Sequence, residues 1–165
     1  MIHSLAFLIA IVLGPSLVSP LLQQIVRPGA KVRPTRVAHP WTFAAVVVAF
    51  LGVAISHLFA NPIHANLFMH AVGGGVTSFC LAMSVIRQAQ FKLTHWQLAL
   101  VMLAVVSTLG VANEIFEYAL EMLTAGRLVF SLDTHDTWRD LCANTVGMAA
   151  AFLVWLAATK PRRQG

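Results

Sequence analysis

The sequence predicts an all-α integral membrane bundle of about five transmembrane helices, and three observations carry that reading. Of 165 residues, 58% are hydrophobic and 10% charged, against about 45–50% and about 25% in ordinary soluble domains. Five stretches are apolar over the ~20 residues that a bilayer crossing requires. They are too long for barrel strands and do not alternate polar with apolar positions. The length suits a single transmembrane domain over residues 1–165, with no soluble appendage.

The first stretch, residues 2–26, contains Pro15 and Pro20, which are expected to kink it or shorten its regular part. It has no positive n-region and no clear small-x-small cleavage site, so it reads as a span and not as a leader. The second runs over 41–60, the third over 67–86, the fourth over 96–123 and the fifth over 138–158. Cys80 and Cys142 both lie inside apolar runs. Such placement suits helix packing and gives no disulfide framework.

The formal charge of +5 hides a separation by position. Within residues 113–144 six acids stand against Arg127 and Arg139, a balance of −4; the remainder holds nine bases and no acid. Four bases lie in Arg27–Arg36, two in Arg87–Lys92 and three in the tail after Thr159. Lysine and arginine collect in cytoplasmic loops, so the N-terminus is expected outside and the C-terminus inside. The basic segments lack the interleaved aromatics of a nucleic-acid surface, and no nucleic-acid partner is expected.

With that topology the acids fall at the outer membrane edge. Glu114, Glu117 and Glu121 share an arc of roughly 60° near the end of the fourth span. Asp133, Asp136, Asp140, Asn144 and Gly147 form a stripe of roughly 80° entering the fifth. Asn66, His70, Gly73, Gly74 and Thr77 share a face about 100° wide on the third. His57, His64 and His135 lie on the same side, whereas His3, His39 and His95 receive no role. Several of these residues also fit simpler duties. Asp133 suits a helix N-cap, with Asp136 in the first turn favoured by the helix dipole. Glu121 suits solvent or a pairing with Arg127, and the three edge histidines suit loops. Asn144 and Thr77 suit interhelical hydrogen bonds, and the glycines suit close packing.

His70, Glu114, Glu117 and Asp140 resist such duties best. They lie one to two turns inside their spans, where an ionised side chain costs roughly 2.5–3.5 kcal/mol even on the mildest scale. The residual negative charge calls for protons, a cationic substrate or a divalent metal ion. His70, Glu114, Glu117, Asp136 and Asp140 are the candidate ligands, with Asn144 as an orienting group. Carboxylates with imidazole suit Mg²⁺, Mn²⁺, Zn²⁺ or non-haem iron without choosing among them. A bound dication would activate water or polarise a phosphoryl or carbonyl oxygen. Shared protons would instead give an acid/base pair or a relay.

The run from Asp136 to Gly147 reads D-T-x-x-D-x-x-x-N-x-x-G, preceded by Glu114-Ile115-Phe116-Glu117 and by His70 with its glycines. In that order it resembles the VanZ-like and YjdF-like group of small bacterial inner-membrane proteins, over roughly residues 66–150. The resemblance implies a polytopic helical protein of the bacterial cytoplasmic (inner) membrane. The VanZ-like name carries an association with glycopeptide-antibiotic tolerance. In the YjdF-like pattern a His-Phe closely followed by Gly, and a Trp after the second Glu, are expected. Here the chain has His70-Ala71-Val72-Gly73 and Glu117-Tyr118, so the likeness is to the wider group.

Other membrane chemistries lack their motifs. There is no G-x-S-G with a distant His, no H-E-x-x-H, no paired-His basic lipid-phosphatase signature and no adjacent Glu pair. A haem between His57 and His70 would leave the carboxylates unexplained. The leading expectation is a metal-assisted or carboxylate-catalysed enzyme acting on a lipid-linked or cell-envelope substrate, in contact with membrane lipids. The alternative is a non-catalytic accessory subunit of a membrane complex, or a small proton-relay or transport protein.

Overall fold

The computed structural model describes residues 2–29, 31–32, 34–37, 39–124 and 134–159. Asp133, Arg127, Arg33 and the bases of the C-terminal tail lie outside the described residues. The described chain is helical, with no strands. Its five helices are α1 (Ile2–Val26), α2 (Pro40–Ser56), α3 (Pro62–Ala89), α4 (His95–Leu123) and α5 (Thr134–Thr159). Four of them hold windows long and apolar enough to cross a membrane, while α2 has 17 residues.

Each boundary has a local cause. Helix α1 runs through both prolines. Pro20 supplies no N–H to the Ser16 carbonyl, and the Thr35 hydroxyl, from the loop that follows, donates to that carbonyl instead at 3.0 Å. The gap left by Pro20 is thus filled, and the helix continues through both prolines. Helix α2 stops at Ser56, four residues before the expected Ala60. The reason lies ahead of it: Pro62 disfavours helical backbone at the residue before it, and Asn61 is extended at φ −93°, ψ 118°. The Asn61 side chain then accepts from the amides of Ile63 and His64 and opens α3. Helix α3 closes on Gln90 in the left-handed region, φ 57°, and α4 opens with a capping box between Thr94 and Gln97.

Helix α3 is central, and its middle is unusual. Met69–Val76 is π-helical, while Pro62–Phe68 and Thr77–Ala89 are α-helical. Such wide turns are rare and cluster at functional sites. This one carries His70 and Gly73-Gly74-Gly75. Helix α5 packs most extensively on this stretch, α2 lies along both it and the later part of α3, and α1 covers the later part.

The α3–α5 approach is backbone on backbone. A Cβ on Gly147 would collide with the Ala71 carbonyl, and one on Gly75 would sit 2.8 Å from the Met148 nitrogen. Small residues are the means by which membrane helices approach closely. The π turns also change which glycine faces where. Gly73 lies against Gly52 of α2, while Gly74 and Gly75 face α5. A uniform 100° spacing would put Gly73 on the α5 face and omit Gly75. Below this contact lies a dry core of Ala45, Ala49, Phe79, Met83, Met102, Val106 and Met148. Exposed Trp96 and Trp138 open α4 and α5 at opposite ends of the bundle, the positions that amphipathic rings favour in helices that cross a membrane.

Candidate functional site

The polar residues near Trp138 come from three helices. Helix α3 contributes Asn66 and His70, α4 contributes Asn113, Glu114 and Glu117, and α5 contributes Asp136, Asp140 and Asn144. Asp140 is the hub. It is 3% exposed, and both of its oxygens are engaged: Asn66 Nδ2 donates to Oδ1 at 2.8 Å and His70 Nε2 lies 3.1 Å from Oδ2. A buried carboxylate needs this degree of engagement, because lost hydration is costly.

Glu114 completes the cluster. One ligand atom each from His70, Glu114 and Asp140 lies within 4.8 Å of the other two. Ligands bound at about 2.0–2.6 Å from one ion sit up to roughly 4–5 Å apart, so the three atoms fit around a single cation. The Glu114 Oε1 is buried and has no hydrogen-bond partner among the described residues. One nitrogen and two hard carboxylate oxygens suit a borderline or hard dication.

Asn144 stands next to this cluster and interacts with the His70 ring. It is 5% exposed and sits between two glycines. A Cβ on Gly74 would collide with its Oδ1, and one on Gly110 would come within 3.4 Å of its Nδ2. Its Oδ1 too is without a partner among the described residues. Two buried, unpartnered acceptors therefore border one compact site.

The other candidates lie around this centre. Glu117 is half-buried and accepts from Asn113 Nδ2 at 2.7 Å. Asp136 is half-buried in the first turn of α5. Both fall outside the compact set of three, yet their charges act on it: Glu117 and Asp136 on His70, and Asp136 on Asp140. Arg139 acts on Asp140 as well. His57, His64 and His135 are exposed and do not join the ligand set among the described residues. Thr77 is buried, and its hydroxyl donates to the Val72 carbonyl five residues back, the spacing of a π turn.

Sequence reasoning missed Asn113 and Gly110 altogether and gave Asn66 only a place on a face. The signal for Asn113 was present as an Asn-x-x-x-Glu pair at helical spacing. Gly110 precedes Glu114 by one turn, so it too shares the site face of α4. Asn66 could be placed on a face but not paired, because its partner lies 74 residues away.

No curated protein and no solved structure matches this chain. A family model does match, over residues 4–162, and that range takes in α2 to α5, all but the first two residues of α1, and the whole three-helix cluster. The chain therefore belongs to the family described as predicted membrane protein (DUF2238).

Proposed function

We propose that this chain is a metal-dependent membrane enzyme acting on a lipid-linked or cell-envelope substrate at the extracytoplasmic edge of the bacterial cytoplasmic membrane. One observation carries the reading: three separate helices deliver His70, Glu114 and Asp140 to within 4.8 Å of one another. Such a convergence of ionisable groups inside an apolar bundle is costly unless it has a use. A divalent cation there would supply Lewis-acid polarisation or an activated water.

The chain's own residues have definable parts in this. Asn66 fixes the Asp140 carboxylate, leaving Oδ2 toward His70. Glu114 offers its unpartnered oxygen, and Asn144 borders the imidazole. Glu117 and Asp136 would move protons at the rim. Trp138 marks headgroup depth two residues before Asp140, which suits a substrate whose reacting group sits at the lipid boundary. The positional charge sorting supports an N-terminus outside and a C-terminus inside, in one domain over residues 1–165. The Asp/Asn/Gly run supports a place in the wider VanZ-like and YjdF-like group.

The experiment is metal analysis of full-length protein purified in mild detergent, wild type against Glu114→Gln and Asp140→Asn. About one equivalent of a divalent metal is expected in wild type, with at least a tenfold weaker hold in each variant. Wild type free of stoichiometric metal after purification and reloading would refute the reading.

A second reading, a proton-relay or accessory protein, is favoured by the direct His70–Asp140 contact, which is a self-sufficient proton-sharing pair. Against a through-path stands the apolar core of Phe79, Met83, Met102 and Val106 below the site. A complex subunit would co-purify with its partner and lose stability without it.

A further inference from the structure

The opposite end of the bundle carries a second polar construction that the carboxylate site does not use. Ser84 of α3, fully buried, lies 2.7 Å from the Thr42 hydroxyl of α2 and accepts from Gln88 Nε2 at 3.1 Å. It also lies 3.4 Å from His39 Nδ1. That same Nδ1 accepts from the Trp41 amide at 3.3 Å, which makes His39 the N-cap of α2. With Nδ1 accepting, the neutral ring carries its proton on Nε2, which leaves that nitrogen as a donor.

The loop before α2 is tied to the same place. The Arg36 main-chain N–H donates to Gln88 Oε1 at 2.7 Å, and Gln23 Nε2 of α1 reaches the Gln88 carbonyl at 3.5 Å. Arg36 is thus held beside the last turn of α3, where Arg87 precedes Gln88. Burial, then the charges of Arg36 and Arg87, hold the His39 imidazole below the usual histidine range. Both arginines thus lie near enough to His39 for their charges to act on it, Arg36 held there by its main-chain bond to Gln88 and Arg87 by its place one residue before it. Among the described residues neither arginine has an ion pair with a carboxylate, and residues 1–113 contain no Asp or Glu. Two arginines without an ion pair among the described residues, next to an imidazole, have the chemistry that recognises a phosphate group.

We propose that Arg36, Arg87 and His39 bind the phosphate of an anionic phospholipid headgroup in the leaflet at the basic end of the bundle. The lipid is the source because α1, α2 and α3 all end here, and their exposed apolar flanks, Leu21, Ile25 and Phe43 among them, would lie along its acyl chains. Basic pockets between membrane helices take such headgroups. This site is independent of the carboxylate cluster, which lies some 27 Å away along α3, about 18 residues at 1.5 Å each.

The test is native mass spectrometry of the full-length protein with phosphatidylglycerol or phosphatidylcholine added to the detergent. Wild type should retain one phosphatidylglycerol per chain in preference to phosphatidylcholine. Arg36→Gln with Arg87→Gln should weaken that retention about tenfold or more, while the equal charge change Lys31→Gln with Lys92→Gln should weaken it less than about threefold. Arg36 is anchored through its main chain, so its side chain can be changed without releasing the loop. Equal losses in the two double variants would reduce the effect to diffuse surface charge and overturn the proposal. So would equal retention of phosphatidylcholine, or displacement of the lipid by inorganic phosphate at tens of millimolar, which would identify a soluble anion as the ligand.

Discussion

Asn66 and Asp140, 74 residues apart, meet at 2.8 Å inside the bundle, amide to carboxylate. This contact ties the entrance of α3 to the second turn of α5 and sets the carboxylate plane that His70 faces. Asn66→Ala would leave a buried carboxylate oxygen without its donor, at a cost of about 1–3 kcal/mol. Unfolding of the purified protein in mixed micelles, followed by tryptophan fluorescence, measures it. In metal titrations the same variant should weaken affinity about tenfold or more, as loss of an outer hydrogen bond to a ligand does. Unchanged affinity would show that Asn66 does not orient a metal ligand.

The glycines of α3 and α5 are not equivalent. Gly147→Ala would drive a Cβ into the Ala71 carbonyl and force the two helices apart, costing about 1–3 kcal/mol. Gly73→Ala meets nothing closer than Met69 Cγ at 3.8 Å. It should be neutral, or stabilise by up to about 1 kcal/mol through better helix propensity. The reverse order of the two variants in thermal unfolding would contradict the close approach at Gly147.

Pro20 and Thr35 form a coupled pair through the Ser16 carbonyl. Thr35→Ala should cost about 1 kcal/mol in wild type, since that carbonyl loses its donor. In a Pro20→Ala background the restored helical N–H serves the same carbonyl, so the cost of Thr35→Ala should fall. A double-mutant cycle measures this coupling, and simple additivity would show that Thr35 is no substitute for the missing N–H.

His39 predicts a pH dependence of stability with a definite sign. Its pKa in the folded protein lies below the ordinary value of 6.5, through burial and then Arg36 and Arg87. As pH falls below 6.5 the unfolded chain therefore takes up this proton before the folded one does. Stability is complete above that pH, declines between 6.5 and the lowered value, and is level below it. His39→Asn, which keeps a capping side chain, should flatten this part of the profile. A profile that keeps its full slope would assign the dependence to other groups.

Much of the site was legible because residues on one helix obey one period. The stripes containing Glu114 and Glu117, and Asp136, Asp140 and Asn144, follow from 100° per residue alone. The third stripe was legible only in part. The π turns at Met69–Val76 alter the period within it, so Gly75 joins the α5 face and Gly73 turns to α2. Nothing in local composition announces a π turn, which is stabilised by what packs against it.

The amino-acid sequence alone determined that this chain is a helical membrane bundle with its acids gathered at one end. Hydropathy over about 20 residues and the order of charged residues are local properties, and no folding is needed to read them. Only the tertiary structure decided that His70, Glu114 and Asp140 form the compact set while Glu117 and Asp136 stand at its rim. It alone decided that His39, which caps α2, meets the buried Ser84 of α3. Both outcomes depend on which helix faces which and at what height. That is fixed by the backbone contacts of Gly75 and Gly147, across more than 70 residues of intervening chain.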